Sequence, residues 1–313
     1  MPELPHLPDG PPPASGDLPG LAVVVVAFGA PAALERCLAG IGDRYPVLVV
    51  DNSSSHEVAE VARRAGATYR DSGTNLGFAA AVNRALDVLG PACGDVLLLN
   101  PDAVIAAADV ERLQRRLRAA ADLACVAPSQ RRPSGGEVAV RWPFATPTDA
   151  WREAAGLAGR HQRWDFVIGS VLLLRAEALA DVGRLDERFF LYGEEADWER
   201  RAMGRGWRIG FCPEVGALHA GAGTETDEVR HQLRFHAGVE LHVRKWHGRA
   251  GWRSYQLATV LTALRRAPRG GKDARRRSLR LAGLYARGPV ALARRAGALR
   301  EVGSSSGETG SPQ

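Results

Sequence analysis

Residues 21–52 read LAVVVVAFGAPAALERCLAGIGDRYPVLVVDN, and this stretch decides the fold class. Leu21 to Ala27 is an unbroken apolar run rich in valine, of the length and composition of a strand buried on both faces. Pro31 opens a segment with Leu34, Leu38 and Ile41 at helical spacing, where proline suits the first turn because its missing N–H would be unpaired there anyway. Val47-Leu48-Val49-Val50 is a second buried strand that stops at Asp51-Asn52. Wholly apolar strands separated by a helix mark a parallel sheet covered on both sides.

The same alternation continues outward. A helix is expected over about His56 to Ala65, a strand near Ala67 to Arg70, a helix over Phe78 to Leu89 and a strand over Val96 to Leu99. The first hundred residues therefore read as an α/β half-domain of the nucleotide-binding type. Ligands of such sheets sit at the carboxyl ends of the strands, which directs attention to Phe28-Gly29, Asp51-Asn52 and Asn100-Pro101-Asp102. Gly73-Thr74-Asn75-Leu76-Gly77 turns into the helix at Phe78, but it is neither G-x-G-x-x-G nor a Walker loop, so dinucleotide and P-loop readings lack their fingerprint. Further on, Leu123 to Ala127 and Phe166 to Leu174 read as apolar strands, and a helix follows Arg175. The acid-rich segment Leu185 to Arg201 precedes a strand over Gly206 to Phe211 and then His219.

The chain has 313 residues, 45% of them apolar, enough to bury a large core. Its four cysteines form no C-x-x-C pair, which argues against a zinc module or a disulfide scaffold and fits a reducing, cytosolic compartment. Residues 1–20 carry seven prolines and no apolar period, so a disordered tail without the features of a signal peptide is expected there, and residues 303–313 read as another polar tail. No run of about 18 apolar residues is present, as a conventional membrane-spanning helix would need. The net charge of +6 conceals an asymmetry: residues 230–300 hold 18 Lys and Arg against 2 acids, whereas residues 1–229 hold 23 against 31.

Several ordered motifs together resemble glycosyltransferase family 2, in the style of bacterial rhamnosyltransferases and galactofuranosyltransferases of cell-envelope polysaccharide assembly. They are Val24 to Phe28, Val49-Val50-Asp51-Asn52-Ser53, Asn75-Leu76-Gly77-Phe78 with Asn83-Arg84, Leu98 to Asp102, Gly169-Ser170, Leu185 to Phe190, Glu194-Glu195-Ala196-Asp197 and His219. The resemblance spans about residues 21–225. It implies a GT-A fold, with 21–102 as nucleotide-binding half and 103–225 as acceptor half, followed by a basic helical extension over 226–300 and a disordered tail over 301–313. The implied activity is inverting transfer of a sugar, L-rhamnose or a similar one, from a dTDP or UDP donor to a saccharide acceptor that can be linked to polyprenyl diphosphate. A non-catalytic nucleotide-sugar or glycan-binding protein of the same fold is the alternative.

The resemblance also implies roles. Asp102 takes the metal-binding position of the D-x-D motif, here Asn100-Pro101-Asp102, with an amide in place of the first acid; His219 supplies an imidazole to the same Mn²⁺ or Mg²⁺. Asn-Pro-Asp is also an ordinary turn after a strand. The base falls on Glu195, with Glu194 beside it and Asp197 orienting base or acceptor, although acids in a first helical turn also simply favour the helix dipole. Phe28, Asp51, Asn75, Arg84 and Asn100 line the nucleotide, and Asp51 reads equally as a turn former. Trp142, Trp151 and Trp198 are candidates for stacking on sugars or for packing.

For the basic segment, an anionic inner-leaflet membrane surface attracts each arginine by about 1 kcal/mol. Nucleic acid would attract the same charges, but no DNA-binding motif accompanies them and the acidic body repels phosphate. A solvated helical face packed on the catalytic domain is the third reading. The expectation is a cytoplasmic protein peripheral on the inner membrane face, with no nucleic-acid partner.

Overall fold

A computed structural model describes residues 18, 20–91, 93–157, 163–221, 227–269 and 271–299. The expected tail 301–313 and all of 1–20 but two residues lie outside the described residues. The first part runs β1 (Leu21–Ala27), α1 (Pro31–Ile41), β2 (Val47–Asp51), α2 (His56–Arg64), β3 (Thr68–Asp71), α3 (Phe78–Leu89), β4 (Asp95–Leu99). It continues β5 (Ala103–Val104), α4 (Ala107–Arg118), β6 (Leu123–Arg131), β7 (Arg141–Trp142), α5 (Pro147–Ala154), β8 (Phe166–Val167), β9 (Val171–Leu174), α6 (Ala176–Val182), α7 (Glu194–Met203) and β10 (Arg208–His219). The helices α8 (Glu228–Arg266), α9 (Lys272–Arg287) and α10 (Pro289–Arg295) complete it.

The main sheet has the order β3-β2-β1-β4-β9-β6-β10-β5. The strip β3-β2-β1-β4 is parallel throughout, as the alternation of apolar strands and helices requires. Beyond β4 the direction changes: β9 runs antiparallel to both β4 and β6, and β5 antiparallel to β10. Successive side chains of a strand face opposite sides. Val23, Val25, Leu97 and Leu99 therefore pack with Leu34, Val58 and Leu113 on one face, and Val24, Leu98 and Leu172 with Val82, Ala178 and Trp198 on the other. Burying such a side chain contributes about 1.5–3 kcal/mol relative to leaving it exposed, so each face is held independently.

The apolar run Phe166 to Leu174 is two strands, not one. It breaks at Ile168-Gly169-Ser170, where the Ile168 amide donates to Val140 and the Ser170 carbonyl accepts from the Asn100 amide at 2.8 Å, so each end of the run serves a different sheet. The strand expected to end at Phe211 continues to His219, with its register against β6 broken between Cys212 and Gly216. The basic stretch 265–277 is largely helical, divided between the ends of α8 and α9. Inside α8 the backbone leaves helical geometry at Gly248 (φ 68°): before it Lys245 and Trp246 reach Asp197 of α7, and after it Ser254 and Arg265 bond α5 while Gln256 bonds Tyr285 of α9. Among the described residues no helix is long and apolar enough to cross a membrane.

Candidate active site

The sheet brings Asp102 and His219 together. Leu99 ends β4, Asn100-Pro101-Asp102 turns, and β5 pairs antiparallel with β10 so that His219 lies opposite Ala103. The imidazole Nε2 sits 3.4 Å from Asp102 Oδ1. Both side chains are largely buried, and Asp102 Oδ2 and His219 Nδ1 have no hydrogen-bond partner among the described residues. Buried polar atoms are normally satisfied, so a carboxylate oxygen left over beside an imidazole fits a cation with a mixed N/O ligand set. No cluster of three or more His, Cys, Asp or Glu that could hold a metal is found among the described residues.

The acidic segment forms the start of α7. Gly193 (φ 96°) precedes it, and Tyr192 adopts φ 72°, a left-handed conformation that costs a non-glycine residue about 1–3 kcal/mol. The other two such residues among the described ones, Ala30 and Ser54, follow β1 and β2 at the carboxyl ends of those strands. The Glu195 carboxylate accepts from the Gly193 amide at 3.2 Å and packs beside Gly169. Burial raises the pKa of Glu195 even against the backbone amides aimed at it. Glu194 is 4% exposed, its Oε2 has no partner among the described residues, and burial followed by the Glu195 charge pushes its carboxyl well up.

One turn further on, Glu199 is fully buried, accepts from the Val167 amide at 2.9 Å, and is likewise raised by burial and by Glu195. It was not foreseen as part of this cluster, although its i,i+4 spacing from Glu195 on an expected helix was the available signal. The two carboxylate centres are joined by the turn between β8 and β9: Ser170 binds the Asn100 amide, and Gly169 lies against Glu195.

Asp197 departs from its expected role. It is fully buried, and its carboxylate is occupied by Arg201 (3.0 Å), Trp246 (3.1 Å) and Lys245 (2.6 Å). It anchors α8 to α7, and no oxygen is left over to orient a base or an acceptor. Lys245 also reaches Asp186 at 2.7 Å, and with Arg188 it holds that carboxyl far below the usual range.

Asp51 takes the turn-forming alternative. Its fully buried carboxylate accepts from the Ser53 amide and hydroxyl, the Ser55 amide and the Tyr69 hydroxyl, which fills its acceptor positions. The Gly29 amide in turn donates to Ser53 Oγ at 2.9 Å, so Asp51 organises the loop beside Phe28. Asn75 caps its own turn through the Gly77 amide, and exposed Arg84 donates to the Ser72 carbonyl at 3.3 Å. Gly77 (φ 83°) cannot be replaced without strain, because a Cβ would overlap the Phe190 carbonyl that accepts from the Phe78 amide. Asn83, quoted in the motif but given no task, clamps Leu185 through both its amide and its carbonyl. Asn52 Oδ1, Ser72 Oγ and Gln130 Nε2 are further buried atoms without a partner among the described residues, all just past or at the ends of β2, β3 and β6. Trp198 is a core residue bonded to the Gly183 carbonyl; Trp142 and Trp151 are exposed.

The family described as glycosyltransferase like family 2 matches residues 19–246. An N-acetylglucosaminyl-diphospho-decaprenol L-rhamnosyltransferase of Mycobacterium tuberculosis is 32% identical over 266 residues, covering 74% of this chain and 86% of its own. A low-salt glycan biosynthesis hexosyltransferase of Haloferax volcanii is 27% identical, covering 72% and 73%. Among solved structures, a mannosyltransferase from Pyrobaculum calidifontis in complex with GDP-Man and Mn²⁺ has a TM-score of 0.54 at 17% identity, covering 90% of this chain and 85% of that one. The family match extends past β10 into α8, as far as the residues that clamp Asp197. With this sheet order and these two carboxylate centres at one edge, the chain belongs to glycosyltransferase family 2 and is a glycosyltransferase of the GT-A fold.

Proposed function

We propose that this protein moves L-rhamnose or a similar sugar, with inversion, from a dTDP or UDP donor to a saccharide carried on polyprenyl diphosphate. The observation that carries the reading is the pairing at one sheet edge of an unsatisfied Asp102–His219 site with a buried acid pair, Glu194–Glu195. Support for the sugar and acceptor comes from the rhamnosyltransferase relative, whose name specifies a diphospho-decaprenol acceptor. Residues 21–102 form the nucleotide half, with Phe28, Asn75, Arg84 and Asn100 around the donor and Asp51 shaping the loop beneath it; 103–225 form the acceptor half.

Asp102 and His219 would hold Mn²⁺ or Mg²⁺. When bound, the ion supplies Lewis-acid neutralisation of the departing diphosphate. Asn100 offers a neutral amide at the first position of the D-x-D motif that the family resemblance implies, so Asp102 would be the main anionic ligand. Glu195 accepts the proton of the acceptor hydroxyl as the oxygen attacks the anomeric carbon from the face opposite the diphosphate, which inverts the configuration. Burial raises the proton affinity of Glu195, and burial with the Glu195 charge raises that of Glu194, as suits a base. The basic helices hold the body at the inner face of the membrane, where such an acceptor resides, and take no nucleic acid.

The test is a donor screen with purified protein, Mn²⁺ or Mg²⁺ and a prenyl-diphosphate saccharide, reading released nucleoside diphosphate. Acceptor-dependent release from one donor is expected. Donor binding by calorimetry without product from any acceptor would instead favour the binding-only reading, which the Asn100 substitution motivates.

A further inference from the structure

Arginines on the α/β body are mostly spoken for: Arg118, Arg188, Arg201 and Arg208, for example, are paired with carboxylates. The outer side of the C-terminal helices differs. Arg253 on α8 and Arg275, Arg276, Arg280 and Arg287 on α9 are exposed, and their guanidinium groups make no hydrogen bond or ion pair with another described residue. Between positions 241 and 299 the only acid is Asp273.

Interleaved with these charges is an apolar stripe. Leu257, Leu261 and Leu264 recur at helical spacing on the second half of α8 and are 41–52% exposed, while Ala258, Thr262 and Ala263 on the opposite side are buried. Leu279 of α9 is 45% exposed. Leu264, Leu279 and Arg275 line one surface depression, and Leu279, Arg276, Arg280 and Arg287 line the next, so Leu279 joins these side chains in one face, which Leu261 and Leu257 extend along α8 at helical spacing from Leu264.

We infer that this face of α8 and α9 seats the protein on an anionic phospholipid bilayer, with Leu257, Leu261, Leu264 and Leu279 entering the headgroup boundary and the arginines on lipid phosphates. This rests on the reading of a membrane-borne acceptor and localises the contact to one surface. Leucines at this spacing have no use against a nucleic-acid backbone, and a second copy would bring like charge against like. A bilayer accepts both components at once: apolar side chains enter the interface and cations meet anionic headgroups. The body fixes the orientation of α8 on both sides of Gly248: Lys245 and Trp246 tie it to the start of α7, and Ser254 and Arg265 tie it to α5.

The experiment is vesicle flotation of the full chain with phosphatidylcholine alone or mixed equally with phosphatidylglycerol. Binding to the mixed vesicles, weakened by salt, is expected. The variant Arg275→Gln/Arg276→Gln/Arg280→Gln should lower partitioning about a hundredfold, at roughly fivefold per arginine, and Leu261→Glu should also release the protein. Thermal melts verify that both variants fold. Absence of wild-type binding, or binding unchanged in both variants, overturns the inference. So does retention on duplex DNA without flotation, or a concentration-dependent dimer abolished by Leu261→Glu without flotation. Turnover on a water-soluble acceptor separates the two claims: lost flotation with intact turnover leaves the transferase reading standing, and flotation without turnover from any donor removes only that reading.

Discussion

Two carboxylate centres occupy the same edge of this sheet under opposite electrostatic conditions. Asp102 faces an imidazole at 3.4 Å and keeps one oxygen without a partner among the described residues. Glu194, Glu195 and Glu199 crowd the first turns of α7, where burial raises their pKa values and the Glu195 charge adds to the rise at Glu194 and Glu199. The cations nearby, Lys245 and Arg201, are committed to Asp197 and Asp186 on the side of α7 that α8 covers. On the proposed reading the difference is a division of labour: the carboxylate beside an imidazole holds the cation, and the buried acids at the start of α7 handle the proton.

Each half of that comparison can be broken separately. Asp102→Ala removes the principal anionic ligand and should lower transfer by about a thousandfold or more, with folding intact by thermal melt; His219→Ala should have a smaller effect that added Mn²⁺ partly restores. Glu195→Gln should reduce transfer by roughly 10²–10⁴-fold while leaving donor affinity unchanged in calorimetry. Because activity rises as the coupled Glu194–Glu195 pair ionises, Glu194→Gln removes a repelling charge and should displace the acid limb of the pH–rate profile to lower pH.

Lys245→Met leaves buried Asp197 with one cation fewer and should destabilise the fold by about 3 kcal/mol, measured by urea unfolding. The smallest effect concerns Glu199. Its folded-state pKa is raised, so its contribution is complete below the ordinary carboxyl range and is lost as pH rises. Glu199→Gln should therefore be more stable than the wild type at about pH 8, and the gain should vanish toward about pH 4.

Much of this arrangement was legible in the sequence because it is locally encoded. The strands β1, β2 and β4 announce themselves as valine and leucine runs, and the helices between them by apolar spacing. The Asn-Pro-Asp turn and the acidic helix start were visible for the same reason. What the sequence hid depends on distant partners. Whether Asp51 is free to bind a ligand is decided by Tyr69 on the neighbouring strand, and whether Asp197 is free by Lys245 and Trp246 on α8. His219 could be placed beside Asp102 only through family resemblance, since the contact arises from the antiparallel register of β10 on β5. The break at Gly169-Ser170 leaves no mark in the apolar pattern, because both strands it separates are apolar.

The most direct measurement is Mn²⁺ titration by calorimetry in the presence of UDP or dTDP, on wild-type protein, Asp102→Ala and Glu195→Gln, with sugar transfer assayed on the same preparations. Nucleotide-dependent Mn²⁺ binding should be lost in Asp102→Ala and retained in Glu195→Gln, with transfer lost in both. Undiminished Mn²⁺ affinity in Asp102→Ala, or undiminished transfer in Glu195→Gln, would contradict the division of labour between the two centres.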